Sequence, residues 1–516
     1  MTSNPPATPK RKNILRKTGR ILVKVIAAIF ILVLLIIILI QIPPVQNFAR
    51  KKVVSYLETK LDTKVEIGRI YIGLPRDVIL SDIYVEDRQK DTLFSGGEIS
   101  VDISLLKLLN NQVEVNEIHF EDIVANVKRQ LPDTAFNFQF IIDAFTPATT
   151  STTTDTAALK MDIHSVILDN VRVIYKDVIT GNDMDVKFQH LDGRIDVFDP
   201  VKLNFSVPEI NVRGFNGKIF QSKPLATPDP ISKDVAEAQQ PAEFQLQLKD
   251  IAISNSYLDY RNNVSAFYTT INLDKFETHI NNLDLKKQLL DINELDLANT
   301  FIAIRMGEKQ QAELIKKEVK QEVESLQQSF WRVVVKTLRL DDNRLKYDDD
   351  SSPELYNGID YAHLDASDLS FHADDFLFAG DTISGKILKG NFNEQSGFVL
   401  TGLSTDFFYG PRQSYLRNLV IQTPGSLIRR SAAISYPSLE AMQKDLGSLT
   451  LNANINESRI QVKDILAFAP QLRGQPGFTN PDATWIIDGD VHGSMKQLYL
   501  NDFYFRGLQD TRLNID

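Results

Sequence analysis

The chain has 516 residues, no cysteine and a formal net charge of −10. That length exceeds one ordinary compact core, so several units or a repeat array are expected. The missing cysteine excludes disulfides, thiolate metal sites and cysteine nucleophiles, and the acidic balance argues against nucleic acid as a partner. In chain order, residues 1–20 form a basic tail with Lys10, Arg11, Lys12, Arg16, Lys17 and Arg20 and no acidic residue. Residues 21–42 carry an unbroken apolar run from Val25 to Ile40, long enough to span a hydrocarbon core. The run ends in Gln41-Ile-Pro-Pro-Val, without the small-residue site of a cleaved signal peptide. An uncleaved single-pass transmembrane helix is therefore expected, with the basic tail in the cytosol and the body on the other side. Pro43 and Pro44 end that helix. A second, juxtamembrane helix is expected over 43–62, where Phe48, Val53, Leu57 and Leu61 recur near helical spacing. It either lies at the membrane surface or caps the first sheet.

The body repeats. From a starting position a, apolar residues fall at a, a+2, a+5, a+7, a+10, a+12 and a+14. One copy is Val113, Val115, Ile118, Phe120, Ile123, Ala125, Val127; the next begins at Met161 and includes Val166 and Leu168. Further copies begin at Phe205, Leu246, Leu290, Val333 and Leu364. The exceptions are Gly217, Ser256, Thr300, Asn343 and Asp374. Steps of two are strand alternation with one apolar face. Steps of three would turn a continuous strand to the wrong face, so a bulge or tight turn must restore the register. Position a+9 holds Asp122, Asn170, Gly214, Asn255, Asn299, Asp342 and Ala373. All but the last are types that tolerate left-handed backbone. The fold class is thus mainly β. It is an N-terminal transmembrane helix followed by an elongated, repetitive, mainly antiparallel sheet with a few helices. A first β segment is expected over 63–145, repeats over 159–307 and further repeats over 331–516. Three stretches interrupt it: a Thr-rich loop at 146–158, a proline-rich loop at 221–243, and an amphipathic helix at 308–330. A short helix is expected near Ser438 to Leu446, with Pro437 at its start.

Positive signs of catalysis are missing, and the chain does not read as an enzyme. The seven histidines show no metal-ligand spacing. Gly380-Asp-Thr-Ile-Ser-Gly-Lys386 approaches a phosphate-binding loop, but Ile387 stands where a Ser or Thr is needed, and the run continues as a strand. Asp348, Asp349 and Asp350 lack the Gly and Glu of a calcium loop. No cofactor or metal is expected.

A sheet with one apolar face must cover it, by packing on itself or by enclosing a ligand. Some twenty strands at about 4.8 Å would extend such a face to the order of 100 Å, and a long apolar groove suits fatty acyl chains. The candidate groove-lining residues are Val113, Val115, Ile118, Phe120, Val166, Leu168, Ile210, Val212, Ile251, Ile253, Leu295, Leu297, Leu338, Leu340, Leu369 and Phe371.

The basic tail and anchor, followed by IPPVQNFARKKVVSYLETKLDTKVEIGRIYIGLPRDVILSDIYVED, resemble the start of TamB-like proteins of the AsmA-like (bridge-like lipid transfer) group. VEVNEIHFEDIVANVKR, VILDNVRVIYKD, LGSLTLNANINESRIQVKDILAFAP and DGDVHGSMKQLYLNDFYFRG are similar to that group's strand phrases. The resemblance implies an inner-membrane anchor and a periplasmic body folded into a β-taco-like, lipid-lined groove. It also implies phospholipids as the cargo, moved between inner and outer membranes. The alternative it carries is an assembly scaffold that helps outer-membrane β-barrels insert, with an Omp85-type partner. Such chains are longer, and the strand-like run at Arg512–Asp516 has no cap, so the chain reads as a segment of a longer product.

Overall fold

The structure, a computed structural model, describes residues 23–25, 27–28, 31–32, 35, 38–39, 41–73, 77–104, 112–131, 135–145, 160–199, 204–223, 245–307, 331–494, 496–508 and 511–515. Residues 1–22, most of the expected membrane segment, the loops at 146–158 and 224–243, and the expected helix at 308–330 lie outside them. The residues described between 23 and 39 are helical, and Val23, Ile31, Leu32 and Leu35 are exposed. Among the described residues no helix is long and apolar enough to cross a membrane. The chain divides into two compact units, 1–121 with 138–161, and 122–137 with 162–516.

In the first unit, helix α1 (Pro43–Leu61) begins with proline at its first positions, where the missing N–H costs nothing. It ends at Asp62, whose left-handed backbone (φ 53°) lets its N–H bond Glu58 O. The strands are β1 (Val65–Gly73), β2 (Asp77–Glu86), β3 (Thr92–Ile103) and the first part of β4 (Gln112–Arg129). β1–β2 and β2–β3 pair antiparallel. α1 packs on β1. Leu61, Val65, Ile67, Ile70 and Leu93 form the core together with Phe140 of the short helix α2 (Gln139–Phe145). Of the two placements the sequence leaves open for this helix, the contact with the sheet is therefore present.

The second unit takes in the end of β4 and the strands β5 (Lys160–Ile163), β6 (Ser165–Asp177), β7 (Asn182–Arg194), β8 (Val197–Asp199), β9 (Asn204–Gln221), β10 (Gln245–Asn262), β11 (Phe267–Asp284), β12 (Leu289–Ala298), β13 (Phe301–Met306), β14 (Arg332–Asp349), β15 (His363–Ala379), β16 (Thr382–Glu394), β17 (Val399–Leu400), β18 (Gly402–Tyr409), β19 (Gln413–Gln422), β20 (Leu427–Ser435), β21 (Thr450–Gln461), β22 (Thr484–Ser494), β23 (Gln497–Gly507) and β24 (Thr511–Ile515). Helices α3 (Leu439–Lys444) and α4 (Val462–Phe468) flank β21. Ser438 caps α3 by accepting from the Ala441 N–H.

The sheet is mixed: most of its described neighbours pair antiparallel, as the sequence leads one to expect, and a few pair in parallel. β9 and β10 pair in parallel, as do β12 and β13 with β14. A parallel neighbour requires a crossover of a dozen or more residues. The sequence supplies one at 222–244 and another at 307–331, where strand periodicity lapses.

The steps of three have a backbone cause. Asp122, Asn170, Gly214, Asn255, Asn299 and Asp342 all have positive φ, between 48° and 68°. Each rotates the chain so that the next residue returns to the apolar face. Asn170 Nδ2 donates to Asp122 Oδ1, so two of these positions touch side by side. Ala373 is not left-handed; Asp368 and Asp375 are. The frame started at Leu364 misplaces the break because β15 runs antiparallel to β14 and carries two breaks.

Candidate functional site

Register places eleven of the candidate residues in two rows on one face of the second unit. The first row runs Val166, Gly193, Ile210, Ile251, Thr278, Leu295, Leu338, Ala373. The second runs Leu168, Leu191, Val212, Ile253, Phe276, Leu297, Leu340, Phe371. Leu369 is paired with Asn343, beyond a bulge. Past the line of left-handed residues the face continues as Val173, Val186, Gly217, Leu258, Ile271, Ile302, Leu345, Ala366. At about 4.8 Å per strand, each row crosses roughly 34 Å from β6 to β15. Val115, Ile118 and Phe120 lie on β4 in the first unit, Val115 buried and the other two half-buried. The side chain of Val113 lies outside the described residues.

Strands β6 to β14 make their substantial contacts with ladder neighbours alone, so among the described residues no second layer covers this face. Every candidate residue in the two rows is half-buried, shielded sideways by its neighbours. Ile280, Ile292 and Val335 reach full burial only because Leu248, Leu283, Leu290, Val333 and Phe376 crowd them on the same face. The opposite face is mostly polar. One of its rows reads Ile167, Asp192, Asn211, Ala252, Glu277, Asp296, Arg339, His372. It carries cross-strand pairs: Arg172 with Asp185 (2.8 and 2.6 Å), Arg344 with Asp365 (2.8 and 2.6 Å), and His372 with Asp341 (2.7 Å). The guanidinium in each pair holds Asp185 and Asp365 below the usual carboxylate range.

Three of the five exceptions in the repeat serve the backbone through hydrogen bonds. Ser256 Oγ accepts from the Phe215 N–H (3.2 Å) and donates to Ser254 O (2.8 Å). Asn343 Oδ1 accepts from the Thr300 N–H (2.9 Å), and its Nδ2 donates to Leu297 O (3.0 Å). Thr300 Oγ1 donates to Ala298 O (3.0 Å). Each sits one residue past a left-handed position, where the ladder leaves backbone groups without partners. Ser370 and Ser458 do the same for the N–H groups of Asp342 and Arg429. Gly217 leaves room for the Phe215 ring, which a Cβ would meet at 2.5 Å. Asp374 is no exception at all: it pairs with Thr337 on the polar face, and Ala373 is the inward residue.

The return strands supply residues that the repeat frames omitted: Leu191, Phe188 and Val186 on β7, and Ile280, Phe276 and Leu273 on β11. Their signal was the same two-and-three spacing read backwards. Further along, α4 lies over the apolar face and borders an open pocket of about 330 Å³, lined by Phe392, Leu403, Ile421, Ile428, Ile460 and Phe468. At its polar end Asp464 accepts from Thr423 Oγ1 (2.5 Å) and from Ser426 Oγ. Val462 and Leu466 of α4 are fully buried. Among the described residues no cluster of His, Asp or Glu is arranged to hold a metal ion.

Taken together, these features define a mainly β protein built on a long mixed sheet, with an apolar face that from β6 to β14 has no second layer among the described residues. Residues 15–218 match the AsmA family. No curated protein matches the chain. No solved structure matches it.

Proposed function

We propose that this chain is a TamB-like conduit that holds phospholipid acyl chains on its apolar sheet face and passes them between the inner and outer membranes. In this reading residues 21–42 anchor it in the inner membrane, with the N-terminus cytosolic and the body periplasmic. The observation that carries the proposal is the pair of registered apolar rows, half-buried and, among the described residues, without a second layer. Apolar area on that scale stays in water only at a cost of about 25 cal/mol per Å², which an acyl chain removes without any directional contact. The match to the AsmA family supports a membrane-related role. Catalysis has no part in it, and no cofactor is needed.

The test is site-specific photocrosslinking in cells. A photoreactive residue at Leu295 or Ile251 captures phospholipid, whereas one at Asp296 or Ala252, on the opposite face, does not. Equal capture from both faces, or from neither, contradicts the proposal.

The second reading is the assembly scaffold, which would dock an Omp85-type barrel by strand addition. The strand it would use is β24, which pairs antiparallel with β23. Crosslinking from Arg512 or Leu513 that captures a barrel protein in place of lipid would support it.

A further inference from the structure

We propose that α1 lies flat on an anionic bilayer, its outward face among the lipid headgroups. The proposal deepens the anchored reading by naming the surface of contact. The inward face of α1 is fixed: Val54, Leu57 and Leu61 pack into the core of the first unit, and Arg50 Nη1 donates to Ile67 O (2.9 Å). What remains outward follows from the helical period. Phe48, Lys52, Tyr56 and Lys60 stand four residues apart in one line, with Lys51 beside it. Phe48 is 63% exposed and Tyr56 58%. Lys52 Nζ sits 5.8 Å from the Phe48 ring centroid. Glu58 is the one acidic residue of the helix, against the exposed Lys51, Lys52 and Lys60. In a chain of net charge −10 this is a basic face.

Aromatic rings and lysines together suit the headgroup layer. The rings bury apolar area there, and the ammonium groups meet lipid phosphate. Charge complementarity therefore selects an anionic bilayer over an acidic protein, which would leave Phe48 and Tyr56 without apolar partners. At 1.5 Å per residue α1 is about 28 Å long, so a flat helix differs measurably from an upright one.

The absence of native cysteine permits a single environment-sensitive fluorophore in the full chain, at Asn47→Cys, Ser55→Cys or Thr59→Cys, all exposed positions. The protein is reconstituted in nanodiscs of phosphatidylcholine alone or with phosphatidylglycerol, carrying nitroxide-labelled lipid. A flat helix predicts that in anionic discs the labels at 55 and 59 shift to the blue and are quenched as strongly as the label at 47. Reversing Lys51, Lys52 and Lys60 to Glu brings quenching at 55 and 59 down to the neutral-disc level, with the circular dichroism unchanged. Quenching confined to position 47, or equal quenching in neutral and anionic discs, overturns the proposal. Should the chain be extracted from membranes by alkaline carbonate, the anchored reading falls. The same labels with phosphatidylglycerol vesicles then still decide: a blue shift at 55 and 59 supports the flat helix, and its absence overturns it.

Discussion

Asn343 shows what one side chain does inside the repeat. It sits among apolar residues, is 4% exposed, and satisfies two backbone groups that the left-handed Asp342 leaves stranded. Replacing it with Leu makes the face more uniformly apolar yet strands the Thr300 N–H and the Leu297 carbonyl. Each costs about 1–3 kcal/mol, so Asn343→Leu should lower stability by roughly 2–4 kcal/mol in denaturant unfolding, while Leu340→Met should cost less than about 1.5 kcal/mol. The hydrophobic pattern alone would rank these two the other way. Asp177 gives a second test. Its carboxylate is fully buried at the end of β6. Burial alone would raise its pKa, but Arg129, the Thr180 hydroxyl and the N–H groups of Thr180 and Ile179 hold it well below the usual range. A depressed folded pKa contributes stability above the unfolded value of about 3.9, and that stability is lost as pH falls through the folded value. Asp177→Asn should therefore cost most at neutral pH, and the gap to the parent should close under strongly acidic conditions. A gap independent of pH would contradict the charge-based account. The left-handed positions were legible because Asn, Asp and Gly recur at one offset. The repair side chains were visible only as exceptions, since nothing in a period shows which backbone groups lack partners.

At the scale of elements, strand existence was readable and strand direction was not. The repeat frames caught β4, β6, β9, β10, β12 and β14, all of which carry the spacing in the same order. β7 and β11 carry it reversed, so no repeat frame falls on them. Alternation alone is identical in either direction and so does not give the parallel pairing of β9 with β10. Its traces are the shared order of the spacing in the two strands and the length of the interruption that follows β9. Helix α1 was legible from its prolines and spacing, whereas its packing on β1 depends on partners distant in sequence. α4 was not anticipated at all: VKDILAF is too short for helical periodicity to separate it from a buried strand. Its hold on the sheet can be tested. Leu466 is 2% exposed, and Leu466→Ala should cost about 3 kcal/mol and raise amide exchange in α4 well above that of β18 to β21. Exchange rising equally in all of them would mean that α4 is not a separately released cover.

For the molecule as a whole, three features point the same way: an apolar segment beside a basic tail, a helix with a basic and aromatic outward face, and a sheet whose apolar surface from β6 to β14 has no second layer among the described residues. The first was legible from sequence alone. The third was legible as a set of apolar positions, but its continuity came from register, which joins residues up to two hundred positions apart into single rows. The account stands on that face holding lipid. The most direct measurement is quantitative lipid mass spectrometry of the purified full chain beside a variant carrying Ile251→Glu, Leu295→Glu and Leu338→Glu, with folding checked by circular dichroism. The account predicts bound phospholipid in the parent, its loss from the folded variant, and failure of that variant to support envelope function in cells. A lipid-free parent, or a folded, lipid-free variant that remains fully active, would contradict it.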